Sequence, residues 1–294
     1  MKKPQWITIG SAALLVTVIF IFGRTVPPKK TAVSVNSQQN ANARPEALAG
    51  ISTDTILAMA KMQLSPEQVL RLNTLENSIS RGNTETAGQV VKDQQLHVYH
   101  QLARFWSDSA HVFEPFAWYE AEAARLENSE KSLTFAARLF LDNLQIDEVA
   151  QRRQWKALQA KDLFERSLRI NPDNDSAKVG LGACFLFGNI SATPMEGILK
   201  IKEVVEKDST NMYAQMMLIQ GSLLSGQYDK AINRLQMVNR LEPANVEAIV
   251  LLADIYDRTG DKTNAVIWYR KSLQYVKQPE ARTEIEKRIK DLSK

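Results

Sequence analysis

"SGQYDKAINRL" (Ser225–Leu235) and "TGDKTNAVIWY" (Thr259–Tyr269) place Gly226 and Gly260, and likewise Ala231 and Ala265, at one shared interval of 34 residues. No catalytic signature surrounds either stretch. A glycine and an alanine recurring at a fixed period mark a supersecondary unit that is stacked, not a site that reacts. Upstream, "LSPEQVLRLNTLENSI" opens with Ser65 as a helix N-cap and Pro66 at the first helical position. Val69, Leu70, Leu72 and Leu75 follow at helical spacing. From Ile51 onward no alternating stretch bounded by turn signals competes as a strand, so the fold class is all-α.

The period is filled by two helices per repeat. One repeat, 212–245, offers Leu218 and Ile219, then Ser222, Gly226 at the turn, Ala231, Leu235 and Pro243. The next, 246–279, offers Leu252 and Ala253, Tyr256, Gly260, Ala265 and Tyr269, with its proline displaced to Pro279. An earlier one, 175–211, has Leu181, Gly182 and Phe185, then Gly197 and Ile201, with "GNISATPME" lengthening its turn. Before it, Ala160, Phe164 and Pro172 match a second helix whose partner is "KSLTFAARLFLDNL", beyond the insertion "QIDEVAQRRQ". A weaker pair is Leu102–Ala103 with Trp106, followed by Ala117 and Ala121.

On these residues the chain resembles the tetratricopeptide repeat (TPR) family, whose pattern is W-x2-L-G-x2-Y, then A-x3-F, then P. The resemblance implies a TPR-type solenoid over 95–294, with 51–94 as a helical capping region. Small residues belong where the two helices of a pair approach, because a larger side chain would push them apart. The turn glycine supplies a positive φ that other residues adopt at a cost. No pair buries its apolar face alone, so stacking is obligatory.

The N-terminus reads differently. Between Lys3 and Arg24, "PQWITIGSAALLVTVIFIFG" carries no charge over twenty residues. At ~1.5 Å per residue it spans about 30 Å, a bilayer's hydrocarbon core. The run exceeds the roughly 7–15 apolar residues of a signal peptide, and no small-x-small cleavage site lies directly behind it. Residues 1–24 are therefore expected to be a retained single-pass anchor crossing the membrane through 4–23. Residues 25–50, "TVPPKKTAVSVNSQQNANARPEALAG", lack large apolar side chains in number and read as a flexible tether. Flanking charges are nearly balanced, and the three-residue head favours an exported soluble domain, on the periplasmic side in a bacterium.

Charge narrows the function further. Residues 1–50 hold six Lys/Arg against Glu46, a net +5, so the rest of the chain sums to −1 within the total of +4. A nucleic-acid footprint needs its basic patch on the folded domain, and none is expected. His97 and His100 stand at i, i+3 with Asp93 and His111 nearby, but no H-E-x-x-H pattern accompanies them, so a metal is not expected. "GLG" at 180–182 lacks a phosphate-loop ending, and Cys184 lies in an apolar helix, where a thiol is structural. No enzymatic activity and no cofactor are expected.

What remains is binding. Carried over from the TPR family, the concave groove is lined by Ser176, Val179, Ala183, Leu186 and Phe187 in one repeat. The next contributes Tyr213, Met216, Gln220, Leu223 and Leu224. The last contributes Glu247, Val250, Asp254, Asp257 and Arg258. Val179, Ala183, Met216 and Gln220 replace the cations with which Hsp-binding members hold a C-terminal carboxylate, so that clamp is not expected. The partner-binding candidates are Phe187, Tyr213, Met216, Gln220, Leu224, Glu247, Val250, Asp254, Asp257 and Arg258, apolar in the middle and acidic toward the C-terminal end. The reading is a membrane-anchored scaffold for a protein partner; the alternative is a chaperone-like module at a translocon or maturation complex.

Overall fold

A computed structural model describes residues 50–80, 89–190 and 194–294. The apolar run at 4–23 and the tether at 25–49 lie outside the described residues. Among the described residues no helix is long and apolar enough to cross a membrane.

The described residues form an all-α helical-repeat fold of TPR type, with thirteen α-helices and no strand among them. α1 (Thr53–Lys61) and α2 (Pro66–Ser80) are followed by α3 (Gln89–Arg104), which ends in a π-turn at Phe105–Ser109. Then come α4 (Phe113–Glu127), α5 (Glu130–Leu144), α6 (Ala150–Ile170), α7 (Asp175–Phe187) and α8 (Met195–Lys207). The chain closes with α9 (Met212–Leu224), α10 (Tyr228–Leu241), α11 (Val246–Arg258), α12 (Lys262–Ser272) and α13 (Pro279–Leu292). Antiparallel neighbours pack as α3–α4, α5–α6, α7–α8, α9–α10 and α11–α12, and each pair also packs on the next. The first helices of three successive pairs, α5, α7 and α9, lie side by side.

Side-chain caps mark the start of several helices. Ser65 and Gln68 form a reciprocal capping box, with Ser65 N donating to Gln68 Oε1 at 2.9 Å and Gln68 N to Ser65 Oγ at 3.3 Å. Three asparagines cap the first helices of three pairs in the same way. Asn174 accepts from Ala177 N at 2.9 Å, Asn211 from Ala214 N at 3.0 Å, and Asn245 from Ala248 N at 3.0 Å. Each satisfies one of the first-turn N–H groups that an α-helix leaves free, worth about 1 kcal/mol.

Inside a pair, small residues set the spacing. Ala160, Ala231 and Ala265 are fully buried. At the crossing of α7 on α8 both helices present glycine. A Cβ on Gly182 would stand 2.6 Å from Ile201 Cγ1 and 2.7 Å from the Gly197 carbonyl oxygen. A Cβ on Gly197 would meet the Gly182 carbonyl more closely still. Gly226 and Gly260 serve otherwise: they have φ of +69° and +85° with open space around them, so their requirement is conformational alone.

The main core cluster joins Ile56 of α1 to residues from Ala117 of α4 to Leu218 of α9, with smaller clusters over α1–α4, α9–α11 and α11–α13. The N-terminal helices do more than cover an end: Trp155 Nε1 on α6 donates to Thr53 Oγ1 of α1 at 3.0 Å, and α1 packs on α4. The helix α3 runs unbroken through the boundary drawn at 94/95. The "QIDEVAQRRQ" insertion is also tied in. Lys156, 2% exposed in its side chain, donates to Asn143 Oδ1 at 2.6 Å and pairs with Asp147 at 2.5 Å and Glu114 at 2.8 Å. Burial alone would raise the Asp147 carboxyl, but hydrogen bonds from Arg152 and Lys156 outweigh it and hold it well below the usual carboxylate range. Three elements meet at a buried cation that is fully compensated.

The two glycine roles separate by substitution. Gly197→Ala forces two backbones apart and should cost about 1–3 kcal/mol. Gly226→Ala should cost about 1–2 kcal/mol through its left-handed φ, and Gly226→Asn should recover most of that because asparagine tolerates the region. Urea midpoints measure both; an asparagine that also restores position 197 would contradict the assignment.

Candidate functional site

The side-by-side first helices leave an open cleft of about 650 Å³ at their C-terminal ends. Its walls are Leu144 and Gln145 of α5, Arg153 of α6, Phe185–Phe187 of α7, Gln220, Leu223 and Leu224 of α9, and Arg258 of α11, with Asn189 and Pro194 at the rim. Leu224 is 68% exposed, an unusual position for a large apolar side chain beside two others. Leu186 is seated against Gly221, where a Cβ would stand 2.7 Å from its Cδ2. No carboxylate is among the lining residues, and among the described residues neither Arg153 nor Arg258 is in an ion pair.

Of the sequence candidates, the structure brings Phe187, Gln220, Leu224 and Arg258 into this one cleft. Tyr213 lies outside it, near the start of α9. Its ring lies under the Arg138 guanidinium at 5.2 Å, burial pushes its hydroxyl pKa up, and that hydroxyl has no hydrogen-bond partner among the described residues. Gln220 Oε1 is buried and equally unpartnered. Met216 is partly buried and packs against the α9–α11 cluster, outside the lining of this cleft.

At the C-terminal end the acidic character expected from sequence lies in a separate cleft of about 600 Å³, where Val250 and Asp254 of α11 meet Glu280 and Glu284 of α13, with Arg288 as the one cation of the lining. Asp257 is taken up by Arg288 of α13, with Nε at 2.6 Å and Nη2 at 2.8 Å, and these hydrogen bonds lower its carboxyl pKa. Asp254 accepts from Tyr269 Oη at 2.6 Å. Both carboxylates are thus engaged by residues brought in from α12 and α13, which helix-by-helix reading could not place over α11. Glu247 remains on the exposed face. Val179 and Ala183, the other inherited groove positions, are fully buried in the main core.

The chemistry weighed and set aside is dispersed. His97 contacts Gln101 at 3.1 Å, His100 lies 3.6 Å from Glu120, and His111 takes a left-handed φ of 54° between α3 and α4. Among the described residues no group of three His, Cys, Asp or Glu could hold a metal. Cys184 is fully buried, and burial raises its thiol pKa.

The class defined by this geometry is a helical-repeat array with open clefts between its helices. Residues 246–275 match the family model of the tetratricopeptide repeat. No curated protein matches the chain in sequence. Solved structures similar to it include MamA (41-end) from Desulfovibrio magneticus RS-1, 20% identical with a TM-score of 0.44, covering 61% of this chain and 94% of that one. PilW, a type IV pilus biogenesis factor, is 17% identical with a TM-score of 0.45, covering 70% of this chain and 94% of its own. YrrB, described as a TPR protein with an unusual peptide-binding site, is 15% identical with a TM-score of 0.42, covering 68% and 96%.

The unpartnered Tyr213 hydroxyl yields a direct expectation. A buried hydroxyl without a partner costs about 1–3 kcal/mol to desolvate, so Tyr213→Phe should leave stability unchanged or raise it by up to about 1 kcal/mol. Thermal unfolding followed by circular dichroism reads this. A clear loss of stability would mean that the hydroxyl has a partner after all.

Proposed function

We propose that the chain is a membrane-anchored, non-enzymatic interaction scaffold that takes a segment of a partner protein into the α5–α7–α9 cleft. The observation that carries this reading is the cleft itself: exposed Leu224 beside Leu223 and Phe187, flanked by two unpaired arginines, with no carboxylate lining it. A concave surface built by stacked helix pairs is how solenoids bind extended segments. Arginine and aromatic side chains beside an apolar pocket are the groups that carry most interface energy. The anchor rests on the uncharged twenty residues between Lys3 and Arg24, the tether on 25–50, and export on the short N-terminal head.

In-cell cross-linking followed by purification of the full chain should yield a stoichiometric partner. Leu224→Asp combined with Arg258→Glu should weaken its capture roughly 10- to 100-fold without altering the circular dichroism spectrum, since both side chains are exposed. The chain should sediment with membranes through an alkaline wash and lose that behaviour when residues 1–24 are removed. A partner retained by the double variant would sink the cleft assignment, and a full chain recovered as a washable protein would sink the anchor.

A further inference from the structure

A second, smaller hollow of about 310 Å³ lies between α8 and the α9–α10 hairpin. Its α9 wall is Leu218, Gly221, Ser222 and Ser225, at i, i+3, i+4 and i+7. At ~100° per residue that face is centred roughly 150° from Gln220, so the hollow is separate from the binding cleft. Lys202 of α8 and Lys230 and Arg234 of α10 converge on it, and no carboxylate lines it. Asp229, next to Lys230 in sequence, is outside the lining. Among the described residues none of the three cations is in an ion pair.

Arg234 makes the cluster unusual. Its guanidinium is half-buried, yet its side-chain hydrogen bond runs to a neutral group, Gln215 Oε1, at 2.7 Å. Gln215 is 1% exposed and is itself pinned by donating to the Ser209 carbonyl at 2.9 Å, so the guanidinium is held in a fixed pose. Burial without an anion lowers the Arg234 pKa. Lys230 likewise donates to a neutral oxygen, Gln227 Oε1. Buried or half-buried cations are ordinarily compensated by a carboxylate. The Lys156 network in this same chain shows such compensation, with Asp147 and Glu114 both in place. Here no compensating carboxylate is found among the described residues.

The serine hydroxyls do not supply donors to the hollow, because Ser222 Oγ donates to the Leu218 carbonyl and Ser225 Oγ to the Gly221 carbonyl. The donors are the three cations, to which the start of α10 adds a weak positive potential, since Gln227 makes no side-chain cap there. Three positive charges including one planar fork match a compact, doubly charged, tetrahedral oxyanion better than a single carboxylate. We propose that the hollow bounded by Lys202, Lys230 and Arg234 is a binding site for a phosphate-type dianion, either free phosphate or a phosphate monoester.

Thermal unfolding of the full-length chain at constant ionic strength tests this, with chloride, acetate, inorganic phosphate or O-phosphoserine as the varied anion. Phosphate should raise the midpoint progressively with concentration while acetate matches chloride. Phosphoserine acting at lower concentration than phosphate would support the site and place its natural oxyanion on a larger molecule; the reverse order would support it for the free ion. The Lys202→Ala, Lys230→Ala double variant, altered only at exposed side chains, should keep the chloride midpoint and bind phosphate at least about tenfold more weakly. General salting effects of phosphate would persist in that variant and are thereby separated. Equal midpoints in all four anions, or an undiminished phosphate shift in the double variant, would overturn the proposal.

Discussion

Within the α7–α8 pair two backbones cross with nothing but glycine between them, and the rest of the array depends on crossings of that kind. At Gly182 and Gly197 the crossing is backbone on backbone; at Ala160, Ala231 and Ala265 a buried methyl is the most that fits. Close crossing brings Ile201 under α7 and lets the next pair stack on the exposed apolar side. Because each pair leaves half of its apolar surface uncovered, stability passes from neighbour to neighbour rather than from a single centre. The main core, Ile56 to Leu218, is the long middle of that stack, and α13, without one fully buried residue, is its thin end.

The same stacking creates the two hollows. Setting α5, α7 and α9 side by side leaves an apolar trough at their C-terminal ends, while the α8-to-α10 approach leaves a cationic one on the other face of α9. A single helix therefore separates two chemically distinct surfaces. An apolar cleft with arginines suits a protein segment, and a hollow of uncompensated cations suits an oxyanion.

Much of the architecture was readable from the spacing of a few residues. The interval between Gly226 and Gly260 identified turns that do adopt positive φ, and the alanines five residues on do sit at buried crossings. The Asn-x-x-Ala caps at 174, 211 and 245 are equally legible, since each starts a first helix, although they stand outside the repeat pattern. What could not be read were contacts between distant elements. Lys156 finds Glu114 and Asp147 only once α4 and the α5–α6 loop are folded. Asp257 meets Arg288, 31 residues on, so a carboxylate expected to face a partner is engaged within the chain. Of the positions inherited from the repeat pattern, Phe187, Gln220, Leu224 and Arg258 line the apolar cleft, while Val179 and Ala183 are buried in the main core.

Native-state hydrogen exchange resolved by helix tests the central claim of neighbour-to-neighbour stacking most directly. Helix pairs should open as units, with α13 and then the α11–α12 pair exchanging first and the amides of α5 to α8 last. One uniform protection level from α1 to α13, or slowest exchange in α13, would contradict it.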